Sequence, residues 1–160
     1  EENHLGKNKG DFYMRVGIVS GYFNPIHTGH LDYLEGARQE CDILYVIVNN
    51  DHQVGLKGSK QFMDDNARLR IVNALSCVDK AMVSVDEDGT VVRSIAQIHK
   101  RYADDPFMTG LYFMNGGDRK EGNTPESEFC QQNDIHLLYN VGGGKTESSS
   151  TLLQKVKNGQ

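Results

Sequence analysis

Apolar residues along this chain alternate between short, nearly continuous runs and longer segments in which they recur every three or four positions. The short runs predict strands at residues 14–19, 42–49, 80–85, 110–115 and 135–139. The second run is apolar almost throughout, which is typical of a parallel strand that is buried on both faces. The hydrophobic pattern therefore favours a sheet whose strands run through the interior of the domain.

Segments with helical spacing lie between these runs. Three such segments are marked by Leu31, Leu34 and Ala37, by Ala67, Ile71, Val72 and Leu75, and by Val91, Ile95, Ile98 and Tyr102. Thr124 followed by Pro125 predicts another helix start, residues 55–60 a loop, and Ser148 onward a last helix. The alternation of strand and helix predicts a three-layer α/β/α domain with a five-stranded parallel sheet.

Length and composition fit a single globular domain. The chain has 160 residues, of which 38% are hydrophobic and 24% charged. We assign residues 14–160 to this domain and regard the polar residues 1–13 as an extension, a linker or a cloning remnant. A net charge of −5 argues against nucleic acid as the main partner.

Two further features bear on location. The three cysteines are scattered, which is typical of reduced thiols in the cytoplasm. No run of about twenty apolar residues occurs, so we expect no membrane span and no membrane partner.

Residues 20–30, Ser-Gly-Tyr-Phe-Asn-Pro-Ile-His-Thr-Gly-His, join the first predicted strand to the first predicted helix. His27 and His30 therefore lie at a helix start, where unpaired N–H groups and the helix dipole favour phosphate. Gly21 and Gly29 allow the backbone to approach a ligand closely, and Pro25 stiffens the turn. We interpret this junction as a phosphate site.

Two other interpretations of the histidines stay open at this point. His27 and His30 could be ordinary surface or capping residues, or they could be two ligands of a zinc ion. Zinc needs further Cys, His or carboxylate ligands at compatible spacing, and the cysteines form no close pair in the sequence. We therefore expect no protein-bound metal.

The sequence His27-Thr28-Gly29-His30, preceded by residues 21–25, resembles the HxGH signature of the nucleotidyltransferase superfamily. The resemblance extends over residues 14–156 and is closest to the cytidylyltransferase-like branch, which includes glycerol-phosphate cytidylyltransferases and heptose-phosphate adenylyltransferases. It implies a Rossmann-like domain in which His27 and His30 are catalytic. It also implies that the nucleotide is bound by Gly21, Tyr22, Phe23, Asn24 and Gly29.

Further positions match the family pattern. Lys57 resembles a lysine that follows the second strand and approaches the phosphates opposite the histidines, so we predict that it is catalytic. Arg68 matches an arginine near the start of the family's second helix and is predicted to bind nucleotide, although a helix-face ion pair is an equal alternative. The remaining predicted nucleotide-binding residues follow the fourth and fifth strands: Asn115, Gly117, Asp118, Lys145, Ser149, Ser150 and Thr151.

The resemblance implies an activity. We predict transfer of a nucleotidyl group from an NTP, with CTP favoured slightly over ATP, to a small phosphorylated alcohol or sugar. An acceptor oxygen would attack the α-phosphorus in line and release pyrophosphate, with Mg²⁺ bound to the NTP. The family also implies a homodimer. The alternatives are a non-catalytic nucleotide-binding module, or an adenylyltransferase of cofactor biosynthesis of the nicotinate mononucleotide or pantetheine-phosphate type.

Overall fold

Strands and helices alternate along the chain in a computed structural model, which describes residues 13–116, 122–143 and 147–148. The strands are β1 (Met14–Gly21), β2 (Ile43–Val48), β3 (Lys80–Val83), β4 (Met108–Gly116), β5 (His136–Val141) and β6 (Glu147–Ser148). The helices are α1 (Thr28–Gln39), α2 (Asp51–Lys57), α3 (Asp65–Asn73), α4 (Val92–Tyr102) and α5 (Pro125–Gln132). No helix within these ranges has the length and apolar character needed to span a membrane.

The strands form one sheet in the order β3-β2-β1-β4-β5-β6. The first five pair in parallel, and the two-residue β6 adds to the edge in the antiparallel direction. The predicted Rossmann-like fold with five parallel strands is therefore confirmed, with β6 as an addition. Because β1 lies between β2 and β4, the winding reverses beside β1 and opens a crevice at the carboxyl ends of β1 and β4.

Each face of the sheet carries its own hydrophobic core. Alternation along β1 places Val16 and Ile18 in the core beneath α4 and α5, and places Val19 in the core beneath α1 and α3. The three side chains are 0% exposed, which explains the nearly continuous apolar run of this strand. Two covered faces leave the strand ends as the part of the sheet where a ligand can approach.

Two local predictions are wrong. The loop predicted at residues 55–60 is in part helical, because α2 runs through Lys57 before Gly58 ends it with φ 77°. Asn50 and Gln53 form a capping box that starts α2, and this signal was present in the sequence. Ser148 lies in β6 rather than at a helix start, and the rest of that predicted helix lies outside the described residues.

The start of α4 is capped by a residue outside the helix. Asp86 is 2% exposed, and its carboxylate accepts hydrogen bonds from the backbone N–H groups of Arg93 (2.7 Å) and Ser94 (3.0 Å). It also accepts from the hydroxyls of Ser94 (2.6 Å) and Ser84 (3.1 Å). These bonds satisfy N–H groups that a helix start leaves unpaired, and they join the end of β3 to α4.

Candidate active site

The start of α1 lies at the crevice between β1 and β4. The Tyr33 hydroxyl donates a hydrogen bond to the carbonyl of Met114 (2.6 Å), which ties α1 to the end of β4. Gly142, just after β5, packs so closely on α1 that a Cβ there would lie 2.7 Å from the carbonyl oxygen of Asp32. The structure therefore brings the carboxyl ends of β1, β4 and β5 to one helix N-terminus.

The two histidines form the cap of this helix. His27 is the N-cap residue, and its Nδ1 accepts a hydrogen bond from the N–H of Gly29 (3.1 Å). Nδ1 of His30 accepts from the N–H of His27 (3.1 Å), which completes a capping box made of two imidazoles. The rings stack with centroids 3.9 Å apart and planes 29° apart. The histidines are thus capping residues, as the alternative interpretation held. Capping uses only the Nδ1 atom of each ring, so both Nε2 atoms remain available to bind a ligand.

This geometry fixes where the protons of the two neutral rings lie. An imidazole nitrogen that accepts a hydrogen bond carries no proton, so each neutral ring is protonated on Nε2. No hydrogen bond to either Nε2 is present within the described ranges, and His27 is exposed while His30 is half-buried. The loop therefore presents two neighbouring N–H donors at a helix N-terminus, an arrangement suited to phosphate oxygens.

The surroundings of His30 favour its neutral form. Burial lowers the pKa of His30 below the ordinary value of 6.5, and the nearby His27 lowers it further. The ring of Phe23 packs edge-on against His30, with centroids 5.0 Å apart. A bound phosphate would offset these effects, because an adjacent negative charge favours the protonated ring.

Phe23 adopts an uncommon backbone conformation. Its φ is 50°, in the left-handed region, and its side chain is only 1% exposed. A Cβ at Gly21 would lie 2.8 Å from the Phe23 ring, so glycine is needed there to admit this ring. The turn therefore packs the Phe23 ring against His30 and needs a glycine at position 21 to leave room for that ring.

Lys57 reaches the same loop from α2. It is the last residue of that helix, and its Nζ lies 4.3 Å from the centroid of the Tyr22 ring. The structure therefore places Lys57 beside the residues that lead into the histidine pair. Partial burial also raises the pKa of Tyr22, so its hydroxyl stays protonated.

Asn24 and Arg68 are engaged by the protein itself. The Asn24 amide donates to the carbonyl of Lys60 (2.7 Å) and accepts from the N–H of Phe62 (2.9 Å). Arg68 is 1% exposed, and its guanidinium pairs with Asp51 and three backbone carbonyls. Asp51 was not among the predicted site residues, although its place in the Asn50–Gln53 capping box could have drawn attention to it.

Asn115, the next-to-last residue of β4, is buried. It is 9% exposed and lines a small cavity together with Thr124, Ser127 and Tyr139. Its side chain has no hydrogen-bond partner among the residues that the structure describes. Six predicted nucleotide-binding residues lie outside the described residues: Gly117, Asp118, Lys145, Ser149, Ser150 and Thr151. Within the described ranges, no group of three or more His, Cys, Asp or Glu side chains is placed to hold a metal ion.

The parallel strands and the histidine pair at the start of α1 form the arrangement that the resemblance to the nucleotidyltransferase class implies. The chain belongs to the cytidylyltransferase-like family, whose model matches residues 18–133. This finding confirms the resemblance drawn from the sequence.

Individual relatives agree with this assignment. The chain is 35% identical over 160 residues to "Bifunctional protein HldE" of Rhodopseudomonas palustris strain BisA53, covering 98% of this chain and 30% of that protein. The protein of the same name from strain TIE-1 is 39% identical over 151 residues, covering 92% and 28%. The chain thus spans less than a third of the length of these relatives.

A solved structure shows the same fold. The lipopolysaccharide core biosynthesis protein from Thermoplasma volcanium GSS1 matches with a TM-score of 0.63 and 22% identity. The match covers 79% of this chain and 96% of that one.

Proposed function

We propose that this chain transfers a nucleotidyl group from an NTP to a small phosphorylated alcohol or sugar and releases pyrophosphate. The observation that carries the proposal is the pair of Nε2–H donors of His27 and His30 at the N-terminus of α1. Lys57, whose Nζ lies 4.3 Å from the centroid of the Tyr22 ring in the same loop, is the cation that we assign to this site. Membership in the cytidylyltransferase-like family supports the reaction class.

The reaction brings two anions together. A phosphate oxygen of the acceptor attacks the α-phosphorus, the bond to the bridging oxygen of the β-phosphate breaks, and pyrophosphate leaves with that electron pair. The acceptor oxygen is already ionised, so no general base is required. Donors placed where charge develops therefore supply most of the rate enhancement. We assign this role to the Nε2–H groups of His27 and His30 and to the ammonium of Lys57.

The choice of nucleotide, the metal and the assembly are further parts of this proposal. We favour CTP slightly over ATP, and expect Mg²⁺ to arrive on the triphosphate because magnesium is commonly bound through substrate phosphates. A homodimer remains our expectation from the family resemblance. The three cysteines among the described residues carry free thiols, which supports a cytoplasmic location.

The test is a product assay on the purified chain. Each of the four NTPs is incubated with Mg²⁺ and with phosphorylated polyols, sugars and amino alcohols, and pyrophosphate release is measured. We expect release only when both an NTP and a phosphorylated acceptor are present, with a new pyrophosphate linkage visible by ³¹P NMR. The dephosphorylated acceptor is the matched control.

The same panel separates the proposal from the alternative of a non-catalytic nucleotide-binding module. Such a module would show a raised melting temperature with an NTP, because ligand binding stabilises the native state. Stabilisation without pyrophosphate release from any pair of substrates would overturn the proposed function.

A further inference from the structure

The buried guanidinium of Arg68 binds four residues from three separate segments around the site. Its Nη1 donates to the carbonyls of Tyr22 (2.8 Å) and Asn49 (2.6 Å). Its Nε donates to the carbonyl of Met63 (3.1 Å), and its Nη2 pairs with the carboxylate of Asp51 (2.9 Å). These contacts join the histidine loop, the end of β2, the start of α2 and the segment before α3.

The contact with Tyr22 falls at the centre of the histidine loop. The carbonyl that Arg68 binds belongs to the peptide that links Tyr22 to Phe23. On one side of this peptide the Tyr22 ring contacts Lys57, and on the other the Phe23 ring packs against His30. A single hydrogen-bonded peptide thus stands between the cation and the imidazole pair.

The backbone at this peptide needs support. Phe23 has a φ of 50°, a conformation that costs a residue other than glycine some free energy and persists where its surroundings enforce it. The bond from Arg68 to the preceding carbonyl is one such constraint. The Asn24 amide, which binds the backbone of Lys60 and Phe62, is a second on the other side.

The same contacts leave Arg68 little capacity to bind a substrate. A guanidinium has five N–H donors, and four of those in Arg68 are used by protein oxygens. The side chain is 1% exposed, so a phosphate could reach it only if the loop were displaced.

We propose that Arg68 is a positioning residue that holds Lys57 and the His27–His30 pair in register without contacting either substrate. The inference rests on the proposed function, because its consequence for rate requires that these three side chains act on the phosphates. Removal of Arg68 misaligns donors that must meet the same reacting phosphate. A misplacement of about 1 Å lowers turnover by about a hundredfold.

Three variants test this role. Arg68→Ala is compared with Arg68→Lys, which keeps the charge but lacks the planar fork, and with Arg70→Ala, an exposed arginine on the same helix. We expect kcat of Arg68→Ala to fall about a hundredfold while the Kd for the NTP rises by less than about fivefold. Ethylguanidinium should restore part of that loss, Arg68→Lys should be impaired, and Arg70→Ala should match wild type. If Arg68→Ala does not fold, Arg68→Lys takes its place.

A readout without turnover separates this inference from the proposed function. The ring protons of His30 are followed by NMR in wild type and in each variant, and we expect a shift for Arg68 variants but none for Arg70→Ala. A large rise in Kd with unchanged kcat would show that Arg68 binds nucleotide directly, and would overturn the inference. A lower melting temperature with unchanged kcat and unchanged His30 resonances would do the same. If wild type transfers no nucleotidyl group, the proposed function fails, while the NMR comparison still tests the positioning.

Discussion

Replacing each active-site histidine by asparagine separates the two functions that its ring performs. In His27 and His30 the Nδ1 atom caps α1, and the Nε2–H is the donor that we propose for the phosphates. The Oδ1 of asparagine lies as many bonds from the backbone as Nδ1 does and accepts a hydrogen bond. Asparagine has no atom at the place of Nε2. The substitution therefore keeps the cap and deletes the donor.

The expected magnitudes follow from these two roles. Loss of one donor to a developing charge costs about 10²- to 10³-fold in kcat. Asparagine is a preferred N-cap residue, so the free energy of unfolding of His27→Asn should stay within about 0.5 kcal/mol of wild type. His27→Ala removes the cap as well, and its free energy of unfolding should fall by about 1 kcal/mol.

The assay pairs initial rates of pyrophosphate release with urea unfolding of the same protein samples. His136→Asn is the matched control, because His136 is exposed and is the first residue of β5, at the amino ends of the parallel strands and thus at the opposite end from the histidine pair. Its rate should match that of wild type. The double variant of His27 and His30 should lose less than the product of the single losses, because the two donors act on the same charge.

Two results would refute this reasoning. Rates within about threefold of wild type in both asparagine variants would show that neither Nε2–H stabilises the transition state. Normal rates in the asparagine variants combined with low rates in the alanine variants would mean that both histidines serve as caps only.

Three more measurements test other parts of the structure. Asp86→Ala should lower the free energy of unfolding, measured in urea, by about 3 kcal/mol, because it leaves the buried N–H of Ser94 unpaired and removes a charged acceptor from the Ser94 hydroxyl. A loss below about 1 kcal/mol would contradict this. Lys57→Met should lower kcat/KM by about tenfold or more with little change in stability, and an unchanged kcat/KM would argue against its catalytic role. Because the pKa of His30 is lowered in the folded state, the unfolded state binds more protons as the pH falls through 6.5. Wild type should therefore lose more stability than His30→Asn on acidification. Parallel profiles of unfolding free energy against pH for the two proteins would contradict this.

Most of the fold could be predicted from the sequence because its strands are buried on both faces. Four consecutive residues of β1 are buried, so its apolar run is nearly continuous and is readily recognised as a buried strand. The predicted strand and the observed one both start at Met14. The error at α2 has a physical cause. Glycine at positions 55 and 58 favours a loop locally, yet the Asn50–Gln53 capping box and the burial of Val54 outweigh that preference.

The histidine pair could be located from the sequence, but its geometry could not. The turn between the first predicted strand and the first predicted helix places His27 and His30 at a helix N-terminus, and this inference needs no knowledge of the rest of the fold. Which ring nitrogen of each histidine accepts a backbone N–H depends on the side-chain rotamer, and the rotamer depends on the backbone conformation of the turn. The positive φ of Phe23 is one of those determinants, and it occurs at a residue for which sequence gives no reason to expect it.

Arg68 shows where sequence reasoning ends. It lies four residues before Val72, so helical spacing places it on the apolar face of α3, and both residues are buried. A buried cation must be paired, because an isolated charge in an apolar setting is very costly. Burial and pairing could therefore be inferred from spacing alone. The partners could not be inferred, because three of the four are backbone carbonyls, at residues 22, 49 and 63, which every residue possesses. Only the path of the chain decides which carbonyls face Arg68, and that path brings the histidine loop and the Lys57 helix to the same guanidinium.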